Sequence, residues 1–137
     1  MKDIKILFVA GFGTIAKDVE MNKKLYADDF GIEFKSEENG YLHTDKLDGV
    51  KHFAIWPLSE AAKSFFGTDK WPSDFGVPQA WLELEVENID KATAELKSQG
   101  YKLLVSNKKE PWGQTVTRFL DPNGLLVGIT HTPWMRS

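Results

Sequence analysis

The chain has 137 residues, 42% of them hydrophobic and 27% charged, and carries a formal net charge of -3. That composition suits one compact domain with a real core, and it excludes sequence-independent nucleic-acid binding, which needs a basic footprint. With no cysteine there is no disulfide, thiolate nucleophile or Cys-ligated metal, and a cytoplasmic location is expected.

The apolar run between Met1 and Phe12 is too short to span a membrane and lacks a small-residue cleavage pattern, so neither a signal peptide nor a membrane helix is expected. Ile4 to Gly13 reads as a strand ending in small residues. Asp18 then caps a helix running to about Asp29, with Val19, Leu25 and Tyr26 on its buried face and Lys23, Lys24 and Asp28 outward. Gly31 suits the left-handed position after the helix. Three short strands follow, Ile32–Lys35, Tyr41–Thr44 and His52–Trp56, separated by the turns Glu37-Glu38-Asn39-Gly40 and Lys46-Leu47-Asp48-Gly49. Ser59–Pro78 is a connector with a helical piece, Glu60 to Phe66, and a Gly/Pro/Trp-rich loop; connections of this length are often functional.

Ala80 to Val86 is again a strand, and Asn88 caps a helix over Ile89 to Ser98 whose buried face holds Ile89, Ala92 and Leu96, with Gly100 ending it. Tyr101–Ser106, Gln114–Leu120 and Leu125–Thr130 are the last three strands, the final two joined by the turn Asp121-Pro122-Asn123-Gly124. The helix starts and ends of the two halves are offset by about seventy residues, which supports an internal duplication. The order β-α-β-β-β occurs twice, with module one about 1–58, the connector 59–78 and module two 79–137 of a single domain.

Several segments carry a resemblance. They are Lys17-Asp18-Val19, Leu25-Tyr26 and Phe30-Gly31 in the first half, and Leu84-Glu85-Val86-Glu87-Asn88-Ile89-Asp90, Leu96 and Gly100 in the second, followed by Phe119-Leu120-Asp121-Pro122-Asn123-Gly124. Over its whole length the chain resembles the vicinal oxygen chelate superfamily, which includes glyoxalase I, extradiol dioxygenases and the fosfomycin and bleomycin resistance proteins. The resemblance implies an α+β fold in which two βαβββ modules form a curved, half-barrel-like mixed sheet around a groove, with helices outside. It also implies a homodimer. In metal-using members a His usually opens the first strand of each module and a Glu usually stands in the last strand of the second module. Those positions fall on or next to Gly11, at Trp81 and at Gly128. None of these supplies the imidazole or carboxylate that divalent ions require at about 2 Å, so no metal and no cofactor are expected.

Other chemistry is thinly represented. There is no Gly-x-Ser-x-Gly elbow and no P-loop, and Gly11-Phe12-Gly13 lacks the third glycine of a dinucleotide fingerprint. The three histidines, His43, His52 and His131, are scattered on strands or strand ends. Trp81, Glu83 and Glu85 alternate with Leu82, Leu84 and Val86, which places the first set on the groove face and the second toward the helices. An i, i+2 carboxylate pair points one way, whereas glycosidic chemistry needs two carboxyls about 5–9 Å apart across a bond. Glu85 is expected to hydrate an open sheet or to pair with Arg118 or a lysine, while Glu83, beside Trp81, is a ligand contact. Trp56, Trp81 and Trp112, with Phe53 and Phe65 as further wall residues and Arg118 as a polar one, complete the ligand-binding set.

These residues describe a metal-free binding protein that sequesters a bulky, partly aromatic, neutral or cationic molecule, by stacking and cation–π contact. The reading leans away from an enzyme. Two alternatives stand: a metal-dependent lyase or dioxygenase with displaced ligands such as His52, Glu83 and His131, and an accessory or regulatory domain whose groove is a partner surface. Partners are a small molecule and a second copy of the chain, with no nucleic acid and no membrane.

Overall fold

Local chemistry sets both helix starts. The Asp18 side chain accepts the Met21 N–H at 3.2 Å, and the Asn88 side chain accepts the Lys91 N–H at 3.0 Å, each satisfying a donor that the first helical turn leaves open. The computed structural model describes residues 4–136, and its fold is α+β. It comprises two compact units, Gly11–Trp81 (the first unit) and the chain up to Ala10 together with Leu82 onward (the second unit). Strands β1 (Ile6–Ala16) and β5 (Ala80–Val86) each have residues in both.

In the first unit β1 leads to α1 (Val19–Lys23), then β2 (Lys35–Ser36), β3 (Leu42–Thr44), β4 (Phe53–Pro57) and α2 (Leu58–Phe66). Its strands are ordered β2-β3-β4-β1. The β1–β4 pair is parallel and the others antiparallel, with Leu42 opposite Ile55 and His43 opposite Ala54. Ala16, Leu42 and Ile55 form the core under α1, with Val19, Tyr26 and Phe34 packed against it. Residues alternate across a strand. Ala54 and Trp56 therefore project from the opposite face, as do His43 and, by continuation of the register, Tyr41 and His52.

In the second unit β5 leads to α3 (Ile89–Ser98), β6 (Leu103–Lys109), β7 (Thr115–Leu120) and β8 (Leu126–His131), ordered β5-β8-β7-β6. β7 pairs antiparallel with both neighbours, and a short 3-10 turn, Pro133–Met135, follows β8. The core joins Val86 of β5 to Ala92 and Leu96 of α3 and to Phe119, Val127 and Ile129. Each half thus repeats the order β-α-β-β-β.

Several boundaries differ from the sequence reading, β6 among them, which spans Leu103–Lys109 and not Tyr101–Ser106. β1 runs to Ala16 because its last five residues pair with β4. The strand expected over Ile32–Lys35 is reduced to the two residues Lys35–Ser36. The helix expected to continue to Asp29 widens into a π-helical stretch over Lys24–Asp29, closed by the bond from Phe30 N–H to the Leu25 carbonyl. The wider turn carries Leu25 off the buried face, and it is exposed while Val19 and Tyr26 remain half-buried.

Candidate functional site

β5 supplies a candidate residue to the first unit and two to the second, all of them at odd-numbered positions. Trp81 is 2% exposed, Glu83 is buried and Glu85 is 0% exposed, so Glu85 does not hydrate an open sheet as the sequence suggested. Val86 faces the α3 core as expected, while Leu82 and Leu84 are only half-buried.

In the first unit, Trp81 lies against Gly13. A Cβ at position 13 would stand 2.1 Å from the Ala54 carbonyl oxygen and 2.6 Å from the Trp81 ring. The glycine is therefore a steric requirement for the indole. Trp56 meets Trp81 edge-to-face at 5.3 Å and Phe65 at 5.5 Å, and Phe65 meets Trp71 at 6.0 Å. Phe66 adds a second edge to Trp71 at 5.0 Å, and the Trp71 Nε1–H is held by the Gly76 carbonyl at 3.0 Å. Apart from Trp81 these rings are half-buried. They form one aromatic assembly from β4, α2, the connector loop and β5.

Phe53 is elsewhere. It packs against Tyr26 and Phe34, with ring centroids 5.8 and 6.1 Å apart, on the α1 side of β4. Beside Trp56, on the opposite face, lies a group that the sequence reading did not assemble. Tyr41 O–H and His52 Nε2 are 2.7 Å apart, His52 Nδ1 and Asp45 Oδ1 are 2.8 Å apart, and His43 Nε2 is 2.8 Å from Glu37. The Tyr41, His43 and His52 rings are near-parallel, 5.3 to 6.1 Å between centroids. Its sequence signal was the Tyr41-x-His43 alternation on a strand, visible only once His52 was placed opposite Asp45.

The second unit gathers the polar candidates. Gln114 donates to Glu83 Oε1 at 2.8 Å, and Arg118 Nη2 donates to Glu83 Oε2 at 3.3 Å. Trp112 Nε1–H donates to Gln114 Oε1 at 3.1 Å. Glu83, Arg118 and Trp112 are thus joined through a buried glutamine that sequence reasoning read only as a strand start. Gly128 faces this pair, and a Cβ there would lie 3.3 Å from side-chain atoms of both Glu83 and Arg118. Trp112 itself is 59% exposed.

Glu85 is held differently. It accepts from Thr130 Oγ1 at 2.8 Å, from the Thr132 N–H at 2.7 Å and from Arg136 Nε at 2.7 Å. Burial pushes its carboxyl up, but the bonds from Thr132, Arg136 and Thr130 together outweigh that and hold it below the usual carboxylate range.

No three His, Cys, Asp or Glu side chains converge as metal ligands among the described residues, and the set His52, Glu83 and His131 is no exception. The positions that the resemblance pointed to do not suit an ion either. Trp81 offers no lone pair, Gly128 no side chain, and the Glu83 carboxylate is engaged by Gln114 and Arg118.

Comparison with known proteins gives a consistent picture of the fold. The profile of the family described as Glyoxalase-like domain matches residues 11–132. A glyoxalase/bleomycin resistance protein/dioxygenase superfamily member from Vibrio splendidus 12B01 superposes with a TM-score of 0.59 at 15% identity, over 94% of this chain and 99% of that one. A methylmalonyl-CoA epimerase variant from Streptomyces coelicolor superposes with a TM-score of 0.60 at 14% identity, over 97% of this chain and 99% of that one. At such identities the likeness is one of fold. Comparison with proteins of curated function gave no match.

Proposed function

Because the chain belongs to the glyoxalase-like domain family, within the glyoxalase/bleomycin resistance/dioxygenase superfamily, we propose that it binds a bulky, partly aromatic, neutral or cationic small molecule without a metal of its own. The observation that carries this reading is the edge-to-face assembly of Trp81, Trp56, Phe65 and Trp71. Edge-to-face packing fixes each ring, and an aromatic contact with a ligand contributes about 0.5–1.5 kcal/mol beyond area burial. Trp56, Phe65 and Trp71 are the contact residues. Trp81 is their support, since it has almost no exposed surface of its own.

The metal-free part is supported by the chemistry of the second unit. A cation, the Arg118 guanidinium, already neutralises Glu83, and Gly128 leaves room for it. A divalent ion there would have to displace a buried ion pair, whose disruption costs about 3–5 kcal/mol.

Titration with planar cationic and neutral aromatic compounds, followed by tryptophan fluorescence, tests the reading. Micromolar binding, weakened about tenfold in Trp56→Ala by loss of roughly 1.4 kcal/mol, is the expected outcome. Absence of binding across such a panel overturns it. So does a stoichiometric Zn²⁺, Ni²⁺ or Mn²⁺ ion in the purified protein by elemental analysis.

A homodimer is also proposed. Ile6, Leu7 and Val9 of β1 are 47%, 41% and 40% exposed, which leaves both faces of an apolar strand segment partly uncovered. A second copy of the chain is the partner that would cover it.

A further inference from the structure

The turns Glu37-Glu38-Asn39-Gly40 and Asp121-Pro122-Asn123-Gly124 hold the only Asn-Gly pairs of the chain. Asparagine is thermolabile, and it cyclises most readily when glycine follows, because no side chain shields the next backbone nitrogen. The two turns are built alike. Gly40 N–H donates to the Glu37 carbonyl at 3.1 Å, and Glu37 N–H to the Tyr41 carbonyl at 2.9 Å. Gly124 N–H donates to the Asp121 carbonyl, and Asp121 N–H to the Leu125 carbonyl, both at 2.9 Å. Both glycines are left-handed, with φ of 89° and 88°. The backbone therefore treats the two nucleophilic nitrogens in the same way.

The asparagine side chains differ. Asn39 is tied at both ends, since Nδ2 donates to Glu60 Oε1 at 3.2 Å and Oδ1 accepts the Tyr41 N–H at 3.1 Å. Glu60 is itself anchored in the first turn of α2, where its other carboxylate oxygen lies 3.1 Å from Lys63 Nζ. Asn123 has neither tether. Its turn is closed by Asp121, whose Oδ1 takes the N–H groups of Asn123 and Leu125. The Asn123 side-chain amide is left exposed and has no hydrogen bond among the described residues.

We infer that Asn123 is the site at which this protein deamidates, and that Glu60 protects Asn39 from the same reaction. In the first step the Gly124 backbone nitrogen attacks Asn123 Cγ. A C–N bond forms, the bond from Cγ to Nδ2 breaks, and the proton of the attacking nitrogen leaves with the amide as ammonia. Water then opens the resulting five-membered succinimide at either carbonyl, giving aspartate or isoaspartate. Water is the one co-reactant, and nothing is oxidised or reduced. Either product sets a new carboxylate near Asp121. Isoaspartate also lengthens the backbone of the turn that sets Arg118 opposite Gly128. At Asn39 the amide would first have to leave Glu60 and Tyr41, a handicap of about tenfold in rate.

The test is to age the purified protein in mild alkali at body temperature and map it with trypsin. Cleavage after Lys35, Lys46, Arg118 and Arg136 places Asn39 in residues 36–46 and Asn123 in residues 119–136. The expected result is that 119–136 gains the mass of an NH₂ replaced by OH about tenfold faster than 36–46. In Glu60→Ala, folded by circular dichroism, 36–46 should speed up while 119–136 keeps its rate. In concentrated urea the two rates should converge. Equal rates in the folded protein, a faster gain in 36–46, no gain in 119–136, or a bias that persists unchanged in urea overturns the assignment. A Glu60→Ala protein in which 36–46 stays as slow as before overturns the protective role of Glu60.

Discussion

Glu85 is shut away from water and yet held in its charged form. A backbone N–H, two threonine hydroxyls and the Arg136 side chain supply what water would have supplied. Its folded pKa is depressed, so the stability it contributes is present above the unfolded carboxylate value. That stability is lost as pH falls through the lower folded value. Glu85→Gln should cost about 3 kcal/mol at neutral pH, the worth of charge-assisted bonds. The gap to the unmodified protein should close as denaturation curves are repeated into acid below the usual carboxylate range. Arg136→Ala should reproduce part of the same loss. Glu83 and Arg118 give a second test at this scale. Either Glu83→Gln or Arg118→Met alone should cost about 3–5 kcal/mol by leaving a buried group unmatched, and the double variant less than the sum.

At the scale of elements, the two modules differ in how well their strands and helices could be read. β5 and α3 have the bounds expected, because a clean alternation and a clean cap each announce one structure. The hairpin between β7 and β8 was equally legible. Asp121 Oδ1 accepts from Asn123 N–H at 2.8 Å and Leu125 N–H at 3.0 Å, and Asp121→Ala should cost about 1–2 kcal/mol in thermal or urea unfolding. The π-helical stretch over Lys24–Asp29 left no such mark, since a wider turn has no side-chain signature and a helical wheel assumes it away. The site was legible in residue types but not in partnerships. Trp56 and Trp81 were singled out together and do touch. Glu83 and Arg118 were named apart from Gln114, the residue that joins Glu83 to Trp112, because Glu83 and Gln114 are 31 positions apart. Phe53 was taken for a wall residue although its place, one position along the strand from Ala54, turns it toward α1.

For the whole molecule the open question is association. The exposed Ile6, Leu7 and Val9 predict a dimer by light scattering at micromolar concentration, and Leu7→Asp with Val9→Lys should convert it to a monomer that stays folded by circular dichroism. A monomer in the unmodified protein would contradict the proposal. Among the described residues no helix is long and apolar enough to cross a membrane. The fold is common to this chain, the Vibrio superfamily member and the epimerase, so what distinguishes it lies in side chains such as Trp56, Trp81 and Arg118.

The fit of Trp81 against Gly13 has a historical consequence. Gly13→Ala should unfold or severely weaken the protein, because the added carbon collides with backbone at 2.1 Å and not merely with a movable side chain. Conversely, a histidine at 81 would leave part of the indole's volume empty beside a glycine too small to fill it. Position 81 therefore cannot take the histidine of a metal-binding relative without leaving a gap that position 13, walled by the Ala54 carbonyl, cannot grow to fill. The backbone wall at position 13 thus makes the indole at 81 easy to keep and hard to exchange.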